Sequence, residues 1–246
     1  MDLDGKSVVI TGGATGIGRA TAIYCAGRGA RVVVSDVSQR DAEDCVAKIR
    51  SAGGEGWFLR VDVSSEPEVE SMMAEAERLM GGIDALVTAA GIARDTLVAV
   101  DELPTESWDS TIEVNLRGTF LSAKHAVPAL RRAGGGVIVL IASGAGVREA
   151  SSMVAYGASK GGVNGLGMTL EAALAPDGIR VNVLCPGNIA TPLKLRIVEE
   201  QAGVRGDEYL PEEQIALLGE AEGMARVLGF LVSDAADYVR GAIFTR

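Results

Sequence analysis

Apolar residues fall into two rhythms along the chain. Short runs rich in Val, Ile and Ala alternate with longer stretches in which apolar positions recur at helical spacing. The runs predict strands at Ser7–Thr11, Arg31–Ser35, Glu55–Val61, Ala85–Ala89, Val137–Ala142, Arg180–Cys185 and Ala242–Thr245. The periodic stretches predict helices at Gly16–Arg28, Gln39–Ala52, Glu66–Met80, Glu106–Arg131, Ser152–Ala175 and Pro211–Val232. Alternation of this kind predicts an α/β fold: a doubly wound, parallel, seven-stranded sheet with helices on both faces and right-handed crossovers. No repeat, low-complexity tract or Pro-rich linker interrupts it, so residues 1–246 are read as a single domain. Such a sheet binds ligands at the carboxyl ends of its strands.

Composition narrows the partners. Apolar residues make up 48% of the chain and aromatics only 4%, which suits buried strands covered by helices. The net charge of -10, with no basic cluster, argues against a nucleic-acid backbone or an anionic membrane as partner. No apolar run reaches the length of a membrane span; the strongest, Val137 to Ala142, is strand-sized. The acidic start Met1-Asp2-Leu3-Asp4 runs directly into a strand, and no signal peptide is expected. Cys25, Cys45 and Cys185 are odd in number, far apart and without metal-ligand spacing, so buried free thiols in a cytoplasmic protein are expected, and no metal. The one histidine, His125, sits in a helical stretch with no nucleophile motif beside it and reads as structural.

The first strand runs into Thr11-Gly12-Gly13-Ala14-Thr15-Gly16-Ile17-Gly18. Glycines after a strand and before a helix let backbone N–H groups approach a diphosphate at the positive helix end. The spacing is G-x-x-x-G-x-G. The second strand leads to Asp36, whose carboxylate suits the adenosine ribose hydroxyls and repels a 2′-phosphate. No basic residue precedes Gly16 in the loop and Arg40 lies in the next helix, so NAD is favoured over NADP. Asp62-Val63 follow the third strand, where they can meet the adenine; Asp62 also reads as an N-cap for the helix near Glu66. Small residues after the fourth strand, Ala89-Ala90-Gly91, let a cofactor lie against the backbone.

Tyr156 and Lys160 are four apart and share a helix face. A phenol with a pKa of about 10 is a poor base until a neighbouring cation favours the phenolate. Tyr156 can then take or return an alcohol proton, and Lys160 can also reach the nicotinamide ribose. Ser143, at the end of the fifth strand, can hydrogen-bond the substrate oxygen. Asn115, in Glu113-Val-Asn-Leu-Arg-Gly, is by itself an unremarkable helical amide; the role proposed for it is to hold a water linking Lys160 to solvent.

Together these residues resemble the short-chain dehydrogenase/reductase family over essentially the whole chain. The likeness rests on Thr11-Gly12, Gly16-Ile17-Gly18, Asp62, the Ala90-Gly91 turn, Asn115, Ser143, Tyr156, Lys160 and Pro186-Gly187 with Thr191. It implies a Rossmann fold binding NAD(P), with a catalytic tetrad of Asn115, Ser143, Tyr156 and Lys160. It further implies that Ile189 and Thr191 contact the nicotinamide carboxamide, and that the chain packs through its long helices as a homotetramer or homodimer. Two features depart from the family: Thr88-Ala89 stand where Asn-Asn is usual, and the chain stops at Phe244-Thr245-Arg246 where relatives continue through an Asp-Gly-Gly tail.

Pro192–Pro211 is polar and poorly patterned, and is read within a substrate lid at about 190–212. Gly144, Val147, Arg148, Met153, Asn188 and Leu193 are pocket candidates, and Arg94, Arg148 and Lys194 are candidates for meeting an anionic group. Many small residues in the helix from Ser152 suit close approach of the sheet or a second subunit. The expected activity is NAD-dependent interconversion of a secondary alcohol and a ketone. Three readings compete with it. Asp36 speaks against a 3-oxoacyl-[acyl-carrier-protein] reductase, which uses NADPH. The complete tetrad speaks against a silent nucleotide-binding scaffold, and the Tyr/Lys pair is not needed by a methyltransferase. A phosphate-loop ATPase is excluded, since the glycine loop after the first strand carries no Gly-Lys-Ser/Thr.

Overall fold

The computed structural model of the chain describes residues 2–205 and 211–245. Its strands are β1 (Ser7–Thr11), β2 (Arg31–Asp36), β3 (Glu55–Arg60), β4 (Ala85–Thr88), β5 (Gly136–Ile141), β6 (Ile179–Cys185) and β7 (Gly241–Phe244). Its helices are α1 (Gly16–Ala26), α2 (Gln39–Ser51), α3 (Glu66–Met80), α4 (Thr105–Ile112), α5 (Gly118–Arg132), α6 (Val154–Leu174), α7 (Pro192–Arg205), α8 (Pro211–Ala216) and α9 (Ala221–Val232). The strands form one seven-stranded sheet in the order β3-β2-β1-β4-β5-β6-β7, all pairs parallel. This is the Rossmann-type arrangement the alternating pattern predicts.

Alternation along each strand divides the core in two. Val8, Ile10, Val32, Val34, Val87 and Val139 face α1, α2 and α9 through Ala22, Cys25, Val46, Ile49 and Leu228. Val9, Val33, Leu86, Ile138, Leu140 and Val183 face α3, α5 and α6 through Met72, Met73, Leu121, Leu130 and Val163. Because both faces are covered, the strands read as nearly continuous apolar runs. The chain winds outward from β1 to β3, then returns to place β4 on the other side of β1. At that reversal the crossovers diverge and leave a crevice at the carboxyl ends.

Four expectations need correction. The helix expected at 106–131 begins after Pro104 and holds a π-helical turn, Glu113–Arg117, between α4 and α5. Hydrophobic periodicity does not register one wider turn within a continuous helix. The segment read as an unpatterned lid contains the helix α7, whose Leu193, Leu195, Ile197 and Val198 spread around its circumference and leave no amphipathic stripe; 206–210 of that expected lid lie outside the described residues. The expected helix Pro211–Val232 is two helices, because Gly219 leaves the helical path and pairs as an isolated bridge with Ile189. The helix expected from Ser152 starts at Val154, with Met153 in the capping position.

Candidate active site

The glycine loop closes against the end of β4. Gly12 has a φ of 68°, and a Cβ there would lie 2.4 Å from Ala90 N, so only glycine lets the two segments meet. No side chain caps the amino end of α1, although Thr15 occupies the capping position. Ile17 and Gly18 follow in its first turn. Thr191, just before α7, rests on the same loop: a Cβ at Gly16 would be 3.1 Å from its methyl carbon. The carboxylate of Asp36 accepts the N–H of Ala14 at 3.1 Å and that of Ser38 at 3.0 Å. Each oxygen keeps further acceptor capacity. Arg19, in the first turn of α1, is committed to α2, with 2.6 Å to Asp44.

Asp62 is not the N-cap of α3; Ser65 holds that position, and Asp62 accepts both the N–H and the hydroxyl of Ser64. Val63 is buried at the same strand end. Pro186 is buried, and its carbonyl accepts the N–H of Gly144, which joins the ends of β5 and β6. Gly187 and Asn188 are exposed, and Ile189 is buried beside Gly219.

Asn115, Ser143, Tyr156 and Lys160 come together at the carboxyl ends of β4 and β5. Gly91 is the meeting point: a Cβ there would stand 3.4 Å from Asn115 Oδ1 and 3.6 Å from Lys160 Nζ. The π turn carries Asn115 into the interior, where it is fully buried. Its Oδ1 accepts the N–H of Ile92 at 2.8 Å, and Nδ2 donates to Ile92 O at 2.9 Å and to Ser159 Oγ at 3.0 Å. Lys160 is 5% exposed, and its ammonium donates to Ile141 O at 2.8 Å. Burial lowers its pKa to about 8. Lys160 Nζ stands 5.7 Å from the centre of the Tyr156 ring. Burial pushes the Tyr156 phenol up, and a hydrogen bond with Ser143 pulls the other way. Desolvation thus opposes ionisation of both groups, by raising the phenol and lowering the ammonium.

The outer candidates are more scattered. Val147, Arg148 and Met153 line a cavity of about 460 Å³ with Val154, Gly157 and Ala158, on a different face of α6 from Tyr156 and Lys160. Arg148 stacks 5.7 Å from the Phe244 ring. Arg94 is exposed and Lys194 half-buried, with burial lowering the Lys194 pKa. Leu193 is partly buried at the start of α7, while Gly144 is buried. Helix α7 is fastened to the segment after β4: Arg196 donates to Ala93 O at 2.6 Å, and Thr96 to Glu200 at 3.0 Å. Sequence reasoning missed these contacts, the carbonyl of Ile141 and the hydroxyl of Ser159. Of these, only Ser159 carried a signal, being next to Lys160 and three residues after Tyr156.

Comparison with known proteins places this geometry. A family model described as short chain dehydrogenase matches residues 6–202. Cis-4-hydroxycyclohexanecarboxylate dehydrogenase of Sinomonas cyclohexanicum is 38% identical, covering 97% of this chain and 93% of that protein. Cyclopentanol dehydrogenase of Comamonas sp. is 36% identical, covering 96% and 93%. The crystal structure of levodione reductase superposes with a TM-score of 0.92 at 31% identity, covering 98% of this chain and 95% of that one. Sheet order, glycine loop and family match agree, and the chain is a member of the short-chain dehydrogenase/reductase family of oxidoreductases.

Proposed function

We propose that the protein is an NAD-dependent dehydrogenase of a cyclic secondary alcohol, acting in the cytoplasm, with Tyr156 as proton carrier. The observation that carries the reading is that Tyr156 shares a hydrogen bond with Ser143 and has Lys160 Nζ 5.7 Å from its ring centre, with that ammonium bordering Gly91. The ring-shaped substrate class is taken from the two relatives named for cyclic alcohols.

The residues present fit a dinucleotide. A Cβ at Gly91 would fill the space before Lys160, which glycine leaves open for a ribose. The uncapped end of α1 offers N–H groups to a diphosphate. Asp36 offers acceptor oxygens to ribose hydroxyls, and with Arg19 held by Asp44 no free cation of that loop meets a 2′-phosphate. Thr191 and Ile189 are assigned to the carboxamide. A bound oxidised nicotinamide supplies the carbon that accepts hydride and a positive charge beside the phenol.

The remaining steps belong to the chain. Ser143 Oγ donates to the substrate oxygen and holds it near Tyr156 Oη. Tyr156, as phenolate, takes the hydroxyl proton while the carbinol carbon gives up hydride. The Lys160 ammonium offsets the phenolate charge, and the neutral phenol left after proton uptake releases that proton to solvent before the next turnover. In the reverse direction Tyr156 returns the proton to the ketone oxygen. Met153 and Asn188 are assigned to the substrate rim.

A panel of cyclopentanol, cyclohexanol, hydroxycyclohexanecarboxylates and open-chain secondary alcohols, followed by reduced-nicotinamide absorbance, tests the reading. Turnover of a ring alcohol with NAD, at least about tenfold above that with NADP in kcat/KM, is expected. Preference for NADP, or activity confined to an acyl-thioester ketone with NADPH, would overturn it.

A further inference from the structure

We propose that Ser159 is a positioning residue for this reaction, its hydroxyl fixing the Asn115 carboxamide against the backbone of Tyr156. The proposal rests on the reading of Tyr156 as proton carrier. Ser159 is fully buried. Its Oγ donates to Tyr156 O at 2.7 Å and accepts from Asn115 Nδ2 at 3.0 Å. The first bond alone is ordinary for a serine within a helix. The second reaches a different element, the π turn 44 residues away in sequence.

That bond completes the carboxamide. Both N–H groups of Asn115 are used, one on Ile92 O and one on Ser159, and its oxygen accepts Ile92 N–H. Thr119 donates to the Asn115 main-chain carbonyl at 2.7 Å, so the residue is held at both ends. Without Ser159 one buried amide donor loses its partner, and the carboxamide, left with its two bonds to Ile92, can tilt on them. Its oxygen and the Lys160 ammonium flank the same Gly91 position, at 3.4 and 3.6 Å from where a Cβ would stand. A tilted carboxamide therefore changes the dipole facing Lys160 and, through Lys160, the proton equilibrium of Tyr156. Ser159 touches neither substrate nor cofactor in this scheme; it acts through Asn115 and Tyr156.

The test compares Ser159→Ala and Ser159→Cys in the full chain. The thiol matches the hydroxyl in size but bonds weakly, so it keeps the packing and loosens the link. With NAD and the best alcohol of the panel, both variants are expected to lose about tenfold in kcat with both KM values within about twofold. The pH profile is expected to move by about half a unit. The tyrosinate absorbance of the protein alone, taken against Tyr156→Phe as blank, should move with it. In an Asn115→Ala background Ser159→Ala should cost less than about twofold more, because its effect passes through Asn115. Ser159→Cys carries the test if Ser159→Ala does not fold. Wild-type turnover and pH profile in the variants, or a loss that multiplies fully onto Asn115→Ala, would overturn the proposal alone. An active Tyr156→Phe enzyme would remove the reading beneath it.

Discussion

Lys160 carries a measurable signature of its own burial. Its pKa falls from the ordinary 10.5 to about 8 because the site desolvates the ammonium. Between those values the unfolded chain binds more protons than the folded one, so stability rises with pH. The slope is at most about 1.4 kcal/mol per pH unit. Cys25 and Cys45 act in the opposite sense: burial raises them from 9.0 to about 12 and about 11, so the stability they contribute is complete below 9 and lost above it. Cys185, also raised by burial, opposes the lysine too, and unfolded thiols begin to titrate below pH 9, so the lysine effect is read as a difference between wild type and a Lys160 variant. Urea unfolding between pH 8 and 9 should show wild-type stability rising with pH relative to that of Lys160→Met. Parallel pH dependences in the two proteins contradict the burial argument. Asp36 is the second residue with a separable effect. Asp36→Ser should cost about tenfold in kcat/KM with NAD and raise that with NADP, since the acceptor is lost and the repulsion removed. An unchanged coenzyme ratio would show that selectivity lies elsewhere.

Among the elements, those that declared themselves in the sequence are those whose burial is uniform. Val8, Val9 and Ile10 are buried whichever way they face, so β1 is an apolar run bounded by polar residues. Tyr156 and Lys160 were legible because a regular helix spaces them on one face. Asn115 was visible as a residue, but not its setting, since a π turn adds no mark to the apolar pattern. Helix α7 stayed hidden because its apolar residues are spread around it, and its anchors, Ala93 O and Thr96, depend on tertiary approach. Arg196 holds α7 to the segment that continues from Gly91 through the Asn115-bound Ile92. Arg196→Ala should loosen that hold by about 1 kcal/mol, which corresponds to about fivefold in KM for the alcohol. Protease cleavage within α7 should quicken in parallel. An unaltered KM and cleavage rate would assign Arg196 to the surface.

For the molecule as a whole, the crevice was legible because topology puts it there: every motif follows the carboxyl end of a strand, and the sheet reverses between β1 and β4. The loops around it were not, because residues such as Arg148 take their partners from distant segments, here Phe244. Among the described residues no helix is long and apolar enough to cross a membrane. Trp108, Phe120 and Met168, on α4, α5 and α6, are exposed apolar side chains. Self-association through these helices, as a homodimer or homotetramer, is expected, and sedimentation at micromolar concentration checks it; a pure monomer is the contrary result. In the proposed reading, sheet and crevice serve one event, the passage of a proton through Tyr156 as hydride moves. The most direct measurement of it is the turnover of Tyr156→Phe together with its NADH affinity by fluorescence. Loss of about a thousandfold in kcat with NADH binding within about threefold of wild type is expected. A variant that keeps turning over within about tenfold of wild type would contradict the proton-carrier role of the phenol.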